Sequence, residues 1–67
     1  MNKDIAQGKW RQMKGEVKRK WGMLTDDEID QIEGDSEKLA GLVQERYGRS
    51  REEAEDEVKE WRRSLNA

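Results

Sequence analysis

Apolar residues recur along this chain in steps of three and four. In the first third they fall at Ile5, Ala6, Trp10, Met13, Val17 and Trp21. That spacing puts them on one stripe of a helix, with Ile5 at its edge, and predicts a helix over roughly 4–21 that Gly22 stops. Thr25-Asp26-Asp27-Glu28 then reads as a capping box, with Thr25 at the N-cap and Glu28 three residues on. It opens a short helix over 26–33, whose apolar face is Ile29 and Ile32 and whose end is marked by Gly34. A third helix over 36–47 is capped by Asp35 or Ser36. It carries Leu39, Leu42, Val43 and Tyr47, and Gly48 closes it. Ser50-Arg51-Glu52-Glu53 forms a second capping box and opens a fourth helix over 51–65. The stripe of this last helix is Ala54, Val58, Trp61 and Leu65.

The links between these helices are only a few residues long, so neighbours fold back as helical hairpins. The halves echo one another. The six glycines fall at Gly8, Gly15 and Gly22, then at Gly34, Gly41 and Gly48, each set spaced by seven and the sets 26 residues apart. At the same offset Met13 matches Leu39, Val17 matches Val43, Lys20 matches Arg46 and Trp21 matches Tyr47. The capping boxes repeat 25 residues apart. The pattern predicts an all-α fold in which two similar helix–turn–helix halves bury their stripes against each other. Gly22 and Gly48 read as caps. Gly15 projects away from the stripe, and Gly41 is expected where two helices cross closely.

Composition narrows what such a bundle can be. With 67 residues there is room for one domain, expected over 1–67, and one small core. Only 31% of the residues are hydrophobic and 45% are charged, so each large apolar side chain is needed inside. On that ground Trp10, Trp21, Trp61 and Tyr47 are assigned to the core, and not to base stacking. One partly exposed tryptophan is the expected exception. Met13 and Met23 are expected to fill gaps. Proline is absent, so nothing forces a helix to break.

There are no cysteines and no histidines. This removes disulfides, thiolate nucleophiles, Cys/His zinc sites and the usual general base. A reducing compartment, the cytoplasm, is the expected location. No apolar run approaches the roughly 20 residues of a membrane span, and the start, Met1-Asn2-Lys3-Asp4, lacks the apolar stretch expected of a signal peptide.

Charge is sorted along the chain. Residues 1–23 carry a net +5, residues 24–37 carry −7, and the rest balance. Helix ends explain most of this. Lys18, Arg19 and Lys20 sit at a C-terminus, and Asp26, Asp27 and Glu28 at an N-terminus, where the macrodipole favours each sign. Glu16–Lys20 and Glu55–Lys59 have the spacing of i,i+4 pairs. The functional alternative is a basic face on the first helix. There Arg11, Lys14 and Lys18 project on one flank of the stripe and Lys9 and Lys20 on the other, a pattern suited to phosphates of nucleic acid or lipid. Against it stands the acidic whole, with a net charge of −2 and a pI near 5.2. The acidic cluster Asp26, Asp27, Glu28, Asp30 and Glu33 fails as a calcium loop, because Gln31 stands where the tight turn needs glycine. Phosphate-loop, dinucleotide and nucleophile motifs are absent.

Several segments together resemble the CsbD-like family. They are Trp10-Arg-Gln-x-Lys-Gly15-x-Val17, Trp21-Gly22-x-Leu24-Thr25-Asp26-Asp27, Ile32-x-Gly34, Gln44-x-Arg46-Tyr47-Gly48 and Ala54-Glu55-x-Glu57-Val58-x-x-Trp61. The likeness runs from Asn2 to about Trp61. It implies a small bacterial protein of the general stress response, folded as a compact four-helix bundle of two crossed hairpins, similar to SAM-type domains. It implies no activity, no cofactor and no catalytic residue. The expected function is therefore non-enzymatic, acting by binding or solvation, in a monomer whose partner the residues do not identify. The alternative is an anion-binding module built on Arg11, Lys14 and Lys18.

Overall fold

The computed structural model describes residues 5–66. Four helices follow in order: α1 Gln7–Lys20, α2 Asp26–Ile32, α3 Ser36–Tyr47 and α4 Arg51–Asn66. Three of them begin on the side chains that the sequence marked. The Thr25 hydroxyl accepts from the Glu28 N–H while the Glu28 carboxylate accepts from the Thr25 N–H, both near 3 Å. Ser50 and Glu53 repeat that reciprocal box at the start of α4. Asp35, and not Ser36, caps α3, its carboxylate accepting from the N–H groups of Glu37 and Lys38. Each device satisfies amides that the first helical turn leaves without intrahelical partners, and each is worth about 1 kcal/mol.

The first helix is shorter than the expected 4–21. Asp4 lies outside the described residues. Ile5 precedes the helix, and Ala6 stands at the N-cap in an extended conformation with no side-chain cap. Ala6 is also exposed, so it leaves the apolar stripe. At the other end the chain turns at Trp21 (φ −122°), one residue before the expected stop, and Gly22 is not left-handed. Helix α2 ends at Ile32, because Glu33 adopts the left-handed region (φ 53°). Gly34 follows at φ 80°, and Gly48 is the left-handed cap of α3.

The Glu33–Gly34 turn fixes the start of the chain. The Ile5 N–H donates to the Gly34 carbonyl at 2.9 Å. The two backbones are so close that a Cβ on Gly34 would lie 2.4 Å from the Ile5 carbonyl oxygen. Gly15 and Gly41 are different. A Cβ at either meets nothing within 4 Å. Gly41 therefore makes no close helix crossing, and the expectation that it would is corrected.

Among the described residues, fourteen apolar side chains close one core, drawn from every helix, from Ile5 ahead of α1 and from Trp21 and Leu24 in the α1–α2 link. Helix α3 packs most extensively on α4, α1 packs on α2, and α2 joins the pairs through α3. Trp21 meets Trp61 edge to face, with ring centroids 5.1 Å apart. This contact ties the end of the first helix to the last one. All three tryptophans are core residues, at 3%, 1% and 7% exposure for Trp10, Trp21 and Trp61, so the expected exposed exception does not occur. Burying a side chain of this size contributes about 1.5–3 kcal/mol. Tyr47 and Leu42 are half-buried against the same cluster. Met23 does not fill a gap but stands 58% exposed, and Leu65, expected on the stripe of α4, is 38% exposed.

Candidate functional site

The basic flank of α1 is the surface with the strongest claim to chemistry. Its three named cations have separate fates. Lys18 reaches past the end of its own helix. Its Nζ donates to the carbonyls of Leu24 at 2.7 Å and Gly22 at 3.4 Å, so it stitches the α1–α2 turn. Lys14 forms an ion pair with Asp30 of α2 at 2.7 Å. Arg11 is exposed and makes no ion pair or side-chain hydrogen bond among the described residues. Arg11 and Lys14 line one cleft of about 310 Å³ with Ile5 and Trp10, and its other wall carries Asp30 and Glu33. Lys18 is not part of it. The cleft thus has mixed charge, and Arg11 is the cation there with no counterion among the described residues.

Behind this cleft lies a polar atom that the sequence did not flag. The Trp10 indole N–H is buried and has no acceptor among the described residues. Such an orphan costs about 1–3 kcal/mol relative to a bonded donor. Trp21, by contrast, donates its indole N–H to Glu57 of α4 at 2.9 Å, and the other Glu57 oxygen meets Arg49 at 3.1 Å. Glu57 sits seven residues after Ser50, on the flank of α4 beside Ala54, Val58 and Trp61. Its position at the edge of that stripe was the only available signal.

Opposite the basic flank, the acidic segment is largely spent on structure. Glu28, already in the Thr25 box, also meets the Arg46 guanidinium of α3. The Thr25 N–H, and then Arg46, hold the Glu28 carboxyl below its ordinary value against partial desolvation. Bonding to Glu45 and Glu28 raises Arg46. The Ser50 N–H and hydroxyl lower Glu53 in the same way. Other pairings differ from the expected i,i+4 set. Glu16 meets Arg19 at 3.5 Å and Glu55 meets Arg51 at 3.4 Å. Side-chain length and the free rotation of exposed groups decide such choices, and each pair contributes little. The described residues hold no group of three or more carboxylates placed to bind a metal ion. No described helix is long and apolar enough to cross a membrane.

The comparisons with known proteins bear on the whole chain. The CsbD-like family model matches residues 4–56. A UPF0337 protein of Bordetella pertussis is 56% identical over 61 residues, covering 91% of this chain and 92% of its own. A UPF0337 protein of Pectobacterium atrosepticum is also 56% identical, over 91% of this chain and 88% of its own. UPF0337 protein YjbJ of Escherichia coli strain K12 is 54% identical over the same shares. The matched span holds both capping boxes, the Glu33–Gly34 turn and all core positions up to Ala54. The chain belongs to the CsbD-like family.

Proposed function

We propose that this protein serves the bacterial general stress response as a non-enzymatic, cytoplasmic monomer that acts through its charged, strongly hydrated surface. The observation that carries this reading is how completely the apolar side chains are consumed. The core takes fourteen of them, and the only large hydrophobics left exposed among the described residues are Met23 and Leu65. What faces solvent is dominated by the 45% of the chain that is charged, at a mean hydropathy of −1.36. A surface of that kind holds water and ions and resists aggregation better than it grips an apolar ligand. Family membership supports the physiological setting. The test is survival of a deletion strain under osmotic, starvation and oxidative stress. A defect restored by the wild-type gene is expected under at least one of them, and equal survival under all three rejects the proposal.

The second reading, an anion-binding module on α1, has one observation in its favour: Arg11, which lines the cleft, has no ion pair among the described residues. Lys14 and Lys18 reach an anion only by giving up Asp30 and the turn carbonyls. On this reading Arg11→Glu abolishes low-salt binding to single-stranded nucleic acid or acidic vesicles, and the affinity of the unaltered protein falls steeply as salt rises. Binding that ignores salt or Arg11 rejects it.

A further inference from the structure

The four helices are not equally secured at their starts. Helices α2, α3 and α4 each open on a side-chain cap and an acidic first turn. Helix α1 opens on Ala6, with no side-chain cap and no acid in its first turn. Half of α1 is nonetheless well fastened. From Val17 onward it is held by the fully buried Val17, by Trp21 with its Glu57 bond and Trp61 contact, and by Lys18 on the turn carbonyls. Before Gly15 the fastenings among the described residues include an exposed Lys14–Asp30 pair, a backbone bond from Ile5 to Gly34, a polar interaction of Lys9, and three apolar side chains, Ile5, Trp10 and Met13. Between the halves, Gly15 lies in open space, where glycine weakens a helix about five-fold relative to alanine. The buried Trp10 N–H has no acceptor among the described residues while this segment is closed, and it gains water when the segment lifts.

We propose that residues 5–14 form a strap that opens from the bundle as a unit, while the remainder of α1 and helices α2 to α4 stay folded. Opening separates Ile5 from the Gly34 carbonyl, releases Lys14 from Asp30 and bares the Trp10 ring. It gives a protein whose closed surface is mostly charged or polar a transient apolar surface at one known place. The strap draws on the one described helix start without a side-chain cap, and local openings in general use such weakly secured elements.

Hydrogen exchange on the full chain tests this by NMR, following the Trp10 indole and the Met13 and Lys14 amides against the Leu39, Val43 and Val58 amides. In the strap picture the first set exchanges at least ten-fold faster, and low urea, which acts in proportion to the surface exposed, speeds it less. Gly41→Ala is the decisive variant. It favours the folded state over global unfolding but leaves the strap equilibrium alone, because α3 is intact on both sides of it. It therefore slows the α3 and α4 amides about five-fold and does not move the strap. Ile5→Ala removes a strap anchor and speeds both sets ten-fold or more. If instead the two sets exchange together, and Gly41→Ala slows Trp10 as much as Val43, the first half of α1 opens only by global unfolding and the strap is overturned.

Discussion

The carbonyl of Ile5 occupies the space that a side chain on Gly34 would need, 2.4 Å from the ideal Cβ position. Gly34 is also left-handed at φ 80°, so alanine there suffers twice, from its own backbone and from its neighbour. Gly34→Ala should destabilise the protein by at least about 2 kcal/mol, which lowers the melting temperature of a domain this size by roughly 8–16 °C. Thermal unfolding followed by circular dichroism checks it. A melting point within a few degrees of wild type would show that Ile5 moves aside freely.

Gly15 and Gly41 predict the opposite sign. Both stand in exposed helix positions with open space where the methyl group would go. Alanine at either should raise stability by about 1 kcal/mol, and the two should add, since they lie on different helices. Urea midpoints of the single and double variants measure this. A loss on either substitution would mean that something packs there.

This contrast shows where the sequence was legible. The seven-residue glycine echo was readable, and the hairpins it predicted, α1 with α2 and α3 with α4, do pack together. Spacing set Gly22 and Gly48 apart as caps from Gly15 and Gly41, but it did not show that Gly22 lacks the left-handed conformation of a cap. Only the backbone reveals that Gly34 and Gly48 are left-handed, that Gly34 is sealed by Ile5, and that Gly15 and Gly41 touch nothing. Caps and stripes are local, within four residues, and they were read almost to the residue. The start of α1 was overextended because Ile5 and Ala6 fit a helical period, while a long-range bond from Ile5 to Gly34 decides their conformation. The basic flank was legible as a face, but the partners of Lys14 and Lys18 lie on another helix and in a turn. No spacing rule reaches them.

Glu57 carries a third prediction. It accepts the Trp21 indole N–H and faces Arg49, at 25% side-chain exposure. Glu57→Ala leaves that indole donor unpaired, and should cost about 1–3 kcal/mol. Glu57→Gln keeps an acceptor in place and should cost markedly less, as should Arg49→Ala, which removes only a partly exposed charge. Equal losses for the Ala and Gln variants in chemical denaturation would contradict the assignment.

Acid sensitivity follows from the boxes. Glu28 and Glu53 are both held below their ordinary values by the folded structure, chiefly through the Thr25 and Ser50 N–H groups. A carboxylate of this kind adds stability that is fully present above its unfolded value of about 4.3. That stability is lost as the pH falls through the lower, folded value. Carboxyl carbon shifts should therefore show both residues titrating below free glutamate. Arg46→Met should move Glu28 part of the way back, since the Thr25 bond remains, and should leave Glu53 where it is. A Glu28 titration indifferent to Arg46 would rule out that ion pair in solution.

The edge-to-face meeting of Trp21 with Trp61 also has an optical consequence. Two indoles this close couple their transitions, and with no phenylalanine in the chain the other contributors in that window are Trp10 and the single tyrosine, so a Trp10→Phe variant isolates the pair. The partners are forty residues apart along the chain, so the couplet in the near ultraviolet reports that the front and the rear of the polypeptide are joined. Its disappearance dates their separation without any attached dye.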